Sequence, residues 1–221
     1  MMNFNRLLPE LSRLTAVPLS GNQAHQQIMD LSLRKQLHKY SGFREPPKQS
    51  AVLALLFPGK SNQTQMVFIL RKSYNGHHSG QISFPGGKKE PFDKNLYQTA
   101  LRETYEEIGV VPGEVTLIKQ LSSLFIPVSN FHVSPFLAVV KKSPQLRKNP
   151  AEVAKIFSVP LYDILTNPLV EIDKNYFGKT YKLKAFQFDK FQIWGATAMI
   201  LAEIVDLFNK SGIRENIDKF Y

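Results

Sequence analysis

The stretch FPGGKKEPFDKNLYQTALRETYEEIGV, residues 84–110, decides how this chain of 221 residues reads. It opens on Phe84-Pro85-Gly86-Gly87, a turn closing the polar, glycine-rich segment 72–87. A helix is expected next, with Asp93 or Asn95 as its cap, Tyr97, Leu101, Thr104 and Ile108 as its buried stripe, and Gly109 as its C-terminal stop. Glu103, Glu106 and Glu107 fall at i, i+3 and i+4 on that helix, so they share one face. Carboxylates that close repel each other by roughly a few tenths of a kcal/mol per pair even when exposed. The face therefore asks for cations. Arg102 can pair with Glu106 one turn on, and a solvated acidic face is the plain alternative. Mg²⁺ suits the pattern as well, because it takes oxygen ligands and bridges carboxylates to substrate phosphates.

Working outward, Ala51–Phe57 and Met66–Arg71 are β-favouring runs around the turn-like Pro58–Thr64, which predicts a hairpin. A short strand over Gln81–Phe84 lies inside the loop before the helix. Further strands are expected at Val115–Leu124, Val133–Val140 and Phe186–Ile193. Pro144 and Pro150 bracket a loop, Glu152–Phe157 begins a short helical piece, and Ala196–Asn209 forms a closing amphipathic helix ending near Gly212. Intermittent helical periodicity over residues 4–14 and 23–40 precedes a linker, Gly42–Gln49, marked by Pro46 and Pro47. Residues 1–50 thus read as a helical extension with linker, and residues 51–221 as the main domain.

The formal charge of +10 favours encounter with polyanions, but the basic stretches are as short as Lys141-Lys142 and Arg147-Lys148, which argues against a dedicated nucleic-acid surface. Cysteine is absent, which excludes disulfides, a thiolate nucleophile and a cysteine-type zinc site. No apolar run approaches the roughly 18 residues of a membrane span, so a soluble, unexported protein of the cytoplasm is expected.

The segment from Gly87 to Val110 resembles the Nudix box, G-x5-E-x7-R-E-U-x-E-E-x-G-U with U a bulky aliphatic residue. Gly87, Arg102-Glu103, Glu106-Glu107, Gly109 and Val110 match. The early acid is Asp93 rather than Glu, the spacer before Arg102 is one residue longer, and one U position is Thr104. The resemblance implies an α/β/α sandwich around a mixed β-sheet, here with extra N-terminal helices. It also implies a pyrophosphatase that uses Mg²⁺ or Mn²⁺ to cleave a phosphoanhydride in a small-molecule nucleotide, acting as monomer or homodimer. Glu103, Glu106 and Glu107, with a carbonyl of the Gly86-Gly87 turn, would hold metal, and Arg102 would orient the glutamates. Asp93 would cap or pin the helix. The general base would come from outside the box: Glu152 in Asn149-Pro150-Ala151-Glu152-Val153 is the candidate, against a bland reading as an exposed loop acid. His77 and His78 are further acid-base candidates.

Val67–Gly87 resembles, in part, the added signature of coenzyme A pyrophosphatases, L-L-T-x-R-[S/A]-x3-R-x3-G-x3-F-P-G-G. Arg71, Gly80 and Phe84-Pro85-Gly86-Gly87 match, whereas Ile69, Lys72 and Gly76 depart. The longer spacer and the ending Ile193-Trp194-Gly195-Ala196-Thr197-Ala198 are similar to the same branch. Arg71 and Lys72 would meet substrate phosphates, and Trp194 is expected to be a core aromatic. Gly76 stands where the branch has a second arginine, which predicts weak discrimination of the 3′-phosphate of coenzyme A. Pro127 keeps ADP-ribose or NADH open as substrates. A silent nucleotide-binding module would usually have lost the glutamates, and here they are present.

Overall fold

The computed structural model describes residues 2–29, 31–42, 45–72, 80–176, 178–189, 191–215 and 220. Four short helical pieces come first: α1 (Phe4–Leu7), a 3₁₀ helix over Leu8–Thr15, α2 (Asn22–Gln26) and α3 (Leu31–Ser41). The helix expected over residues 4–14 tightens at Pro9, which has no N–H to give to the residue four before it. The expected helix over 23–40 is interrupted after α2.

The strands follow as β1 (Lys48–Pro58), β2 (Thr64–Arg71), β3 (Ile82–Ser83) and β4 (Gly86–Lys88). After helix α4 (Leu96–Ile108) come β5 (Val115–Gln120), β6 (Leu124–Ile126), β7 (Phe131–Val140) and β8 (Val153–Pro160). Helix α5 (Leu161–Thr166), strands β9 (Leu169–Tyr176), β10 (Lys179–Phe188) and β11 (Phe191–Ile193), and helix α6 (Gly195–Lys210) complete the order. β1 and β2 form the expected hairpin, in register at Leu56↔Met66, and the turn places Ser61 and Asn62 at positive φ. β1 also runs parallel to β7 and antiparallel to β4, so the large sheet is mixed. β9, β10 and β11 make a second, antiparallel sheet.

Alternation along β1 divides the interior in two. Leu53, Leu55 and Phe57 pack with Ala100 and Ile108 of α4, while Ala54 and Leu56 belong to a larger cluster with Leu201, Ile204 and Phe208 of α6. The result is a helix layer on each face of a mixed sheet, as expected for the α/β/α arrangement. Each fully buried Leu or Phe contributes roughly 1.5–3 kcal/mol. Phe4, Leu7 and Leu14 lie in the α6 cluster, and the Thr64 N–H donates to the Met2 carbonyl at 2.8 Å, so the first helices are part of this packing.

Several elements differ from the sequence reading. Residues 153–160 form a strand where a helical piece was expected at Glu152–Phe157, because they pair along the whole of β2, with Phe68 opposite Phe157. The strand expected over Val115–Leu124 breaks at Ser122, whose N–H leaves the ladder to donate to Glu203 Oε2 at 2.9 Å. The strand expected over Phe186–Ile193 is a hairpin, turned at Asp189 with φ 44°. β4 and β9 were not anticipated. Among the described residues no helix is long and apolar enough to cross a membrane.

Candidate active site

The site starts from the two ends of α4. Asn95 is the cap, its side chain accepting the Gln98 N–H at 2.9 Å, and Gly109 closes the helix at φ 78°. Asp93 pins the helix start, accepting from Thr99 Oγ1 and the Glu90 N–H, each at 2.9 Å. Thr104 fills the position where a bulky aliphatic residue was expected. It is buried, with its hydroxyl satisfied by the Ala100 carbonyl at 2.6 Å.

Arg102 ties this helix to the glycine turn. Its Nε and Nη2 donate to both oxygens of Asp93 at 3.0 and 2.9 Å, and Nη2 also reaches the Lys88 carbonyl at 3.0 Å. Nη1 donates to Glu103 at 2.8 Å and to Glu106 at 3.1 Å. The guanidinium hydrogen bonds hold Asp93 well below the usual carboxylate range and raise Arg102 in return.

Glu107 is the buried member of the acidic face, its side chain 1% exposed. Its carboxylate accepts the Gly86 N–H at 2.8 Å and lies 3.5 Å from Arg71. Burial pushes Glu107 up to about 7; Gly86 and Arg71 pull it down, and the negative charges of Glu103 and Glu152 add to the rise. Burial likewise raises Glu103, which Arg102 opposes and Glu106 and Glu152 reinforce. Glu106 is half exposed on the same face.

Close approach to backbone requires glycine at 86, and at 87 any side chain would displace the Glu103 carboxyl group. A Cβ on Gly86 would lie 2.3 Å from the Ala51 carbonyl oxygen, and one on Gly87 would lie 2.4 Å from the Glu103 carboxyl group. At Gly86, β4 passes β1 with space for backbone alone. The pairing Ala51↔Gly87 seats the turn against the acidic face.

The loop carrying Glu152 is fastened to the end of α4. Arg147 N–H donates to the Ile108 carbonyl and Asn149 N–H to the Glu107 carbonyl, both at 2.9 Å. Glu152 itself is exposed in the turn before β8, with Asn149 Nδ2 at 3.5 Å, and its charge is felt by Glu103 and Glu107. Lys72 is exposed and meets this loop through its backbone, its N–H donating to the Glu152 carbonyl at 3.0 Å. His77, His78 and Gly76 lie outside the described residues.

A cleft of about 960 Å³ opens beside the turn. Arg71, Gly86, Gly87 and Glu103 line it; Lys72, Arg102, Glu106, Glu107 and Glu152 do not. Its other walls come from Pro127 after β6, from Tyr176 and Trp194, and from Met29, Arg34 and Leu37 of the N-terminal segment. Trp194 packs against the larger core cluster, as expected, and also faces the cleft: it is half-buried at the head of α6, with Lys174 Nζ 4.3 Å from its ring centroid. The N-terminal wall was missed by sequence reasoning. No local pattern marks it, since it forms only where α3 meets distant elements, as in the contact of Gln36 with Tyr181 at 3.3 Å.

Among the described residues no three acidic or imidazole groups are already gathered at metal-binding distances. The donors are nonetheless those of a hard divalent cation: clustered carboxylates, two with raised pKa values, beside a glycine turn. Arg102 and Arg71 meet part of that charge.

Comparison with known proteins agrees with this architecture. The NUDIX domain model matches residues 47–179. An "Uncharacterized Nudix hydrolase NudL" of Photorhabdus laumondii is 32% identical over 165 residues, covering 72% of this chain and 88% of that protein. "Nudix hydrolase 15, mitochondrial" of Arabidopsis thaliana is 34% identical over 165 residues, covering 72% of this chain and 58% of the plant protein. A MutT/nudix family protein from Enterococcus faecalis shares the fold with a TM-score of 0.50 at 19% identity, covering 88% of this chain and 74% of that one. With the box residues assembled around one turn and the match spanning most of the chain, this protein belongs to the Nudix family of hydrolases.

Proposed function

We propose that the protein hydrolyses the pyrophosphate of coenzyme A, or of an acyl derivative, to 3′,5′-ADP and (acyl-)4′-phosphopantetheine. The observation that carries the reading is the contact of the acidic face with Gly86-Gly87 at the edge of a cleft whose charged lining, among the described residues, is Arg34, Arg71, Lys88 and Glu103. Cations in that ratio suit a polyanionic ligand. The volume is at the upper end of the roughly 300–1,000 Å³ usual for small-molecule sites. The longer box spacer, the FPGG turn and the IWGATA ending support the coenzyme A branch.

Glu103, Glu106 and Glu107, with a carbonyl of the Gly86-Gly87 turn, are the proposed holders of Mg²⁺ or Mn²⁺. Such ions supply positive charge for the pyrophosphate and lower the pKa of a nearby water. Arg102 donates to both Glu103 and Glu106, and Arg71, which lines the cleft, is the proposed contact to a phosphate oxygen. Glu152 takes the proton as water oxygen attacks phosphorus; the bridging P–O bond breaks and its oxygen leaves on the other phosphate. Glu152 is held for this by a loop anchored to α4.

One observation favours a second reading: Pro127, the residue that keeps ADP-ribose or NADH open, lies in the cleft wall. Incubation with coenzyme A and Mg²⁺ or Mn²⁺, followed by mass identification of the products, tests the proposal. Appearance of 3′,5′-ADP with 4′-phosphopantetheine, lost on addition of chelator, is expected. AMP released from ADP-ribose with coenzyme A left intact would support the second reading.

A further inference from the structure

Helix α3 lies before the matched family segment 47–179, yet it puts a cation into the cleft. Arg34 is half-buried, its Nη1 donating to Asn22 Oδ1 at 3.2 Å, with no carboxylate at ion-pair distance among the described residues. Burial pulls its pKa below the usual arginine value. The buried carboxylate of this region, Glu203, is already engaged by the N–H groups of Gly21 and Ser122, at 2.8 and 2.9 Å. His25, which feels the charge of Arg34, is pushed by burial toward its neutral form and offers no negative charge. Met29 and Leu37 of the same wall are apolar.

A guanidinium has five donors in a fixed fork, and here one is used by a neutral amide. A partly desolvated guanidinium with no acidic partner among the described residues favours an anion supplied by a ligand in the cleft. Arg71 is 3.5 Å from Glu107, beside the turn where the pyrophosphate is proposed to bind, whereas Arg34 contacts none of the box residues. The two cations have different neighbours in one cleft, so each is available to a different group of one ligand.

We propose that Arg34 binds a phosphate monoester that the substrate carries apart from its pyrophosphate; in coenzyme A this is the 3′-phosphate. The inference rests on the coenzyme A reading above and names the residue that recognises the feature separating coenzyme A from its dephospho form. It revises the expectation of weak discrimination drawn from Gly76, because the missing charge comes from a different element. Arginine suits the task, since its fork can contact two phosphate oxygens.

The test compares kcat/KM for coenzyme A and 3′-dephospho-coenzyme A in wild type, R34Q and R34M, with thermal unfolding to identify folded variants. A charge-assisted hydrogen bond corresponds to roughly a tenfold to hundredfold preference. Wild type is expected to favour coenzyme A by at least about tenfold, and the ratio should fall toward one in either variant, through KM rather than kcat. An unchanged ratio in a folded variant would overturn the proposal. Binding of 3′,5′-ADP against 5′-AMP by titration calorimetry separates this failure from failure of the substrate reading. If wild type does not hydrolyse coenzyme A yet binds 3′,5′-ADP about tenfold more tightly than 5′-AMP, the anion site stands without that reading. Equal affinity of the wild-type protein for the two nucleotides overturns the site with no variant needed.

Discussion

Glu107→Gln tests the electrostatics of the site and its chemistry together. Burial raises the Glu107 carboxyl from an ordinary 4.5 to about 7. Below pH 4.5 both folded and unfolded chains hold the proton, and the side chain is neutral in each. Between 4.5 and 7 the folded state binds more protons than the unfolded one, so wild-type stability falls as pH rises, and the penalty is complete above 7. A shift of that size corresponds to roughly 3 kcal/mol at 1.36 kcal/mol per unit. Glutamine does not titrate, so the stability difference, variant minus wild type, should grow by about 3 kcal/mol from pH 4 to pH 8 in the absence of metal. That growth survives any constant offset from an imperfect amide contact with Gly86 or from leaving Arg71 unpaired. For a chain of this length about 3 kcal/mol is roughly 6–12 °C in Tm. Metal-free thermal unfolding across pH reads the effect. Turnover of the same variant with Mg²⁺ should fall by about 10²-fold or more, as expected for loss of a metal ligand. A variant that tracks wild type in parallel at every pH would refute the electrostatic reasoning, and near-normal turnover would remove Glu107 from the metal site.

Other substitutions examine the remaining parts. Glu152→Gln should lower kcat by roughly 10²–10⁴-fold with KM nearly constant in steady-state kinetics, and a change of only a few fold would send the search for the base elsewhere. Gly87→Ala places a methyl 2.4 Å from the Glu103 carboxyl, so that side chain must move; kcat should drop at least about tenfold while circular dichroism keeps the wild-type spectrum. Asp93→Asn should destabilise by about 2–4 kcal/mol in urea unfolding at pH 7, since one partner of a largely buried pair is lost. Arg102 depresses the folded Asp93 pKa, so this contribution is present above the ordinary value of 3.8, and the difference should shrink as pH falls below it.

What could be read ahead of the structure was what local chemistry decides. Asn95 and Gly109 bound α4 by side-chain capping and left-handed backbone, and the β1–β2 hairpin follows from two β-favouring runs around a short turn. The acidic face was legible for the same reason, as helical spacing alone puts Glu103, Glu106 and Glu107 together. Residues 153–160 were misread because their strand state depends on pairing with β2, about ninety residues earlier in the chain. β9 escaped notice because Glu171, Asp173, Lys174 and Asn175 lower its β propensity, and its strand state comes from pairing with β10. The cleft was least legible. Arg34, Tyr176 and Trp194 come from three distant elements, and no spacing rule links them. Trp194 packs against the core as its size suggests, and its place at the head of α6 also gives it to the cleft.

The most direct test of the central claim is the wild-type ratio of kcat/KM for coenzyme A to that for ADP-ribose, measured under identical Mg²⁺ or Mn²⁺ conditions. Preference for coenzyme A is predicted, with both activities abolished by chelator; a clear preference for ADP-ribose would contradict the coenzyme A assignment.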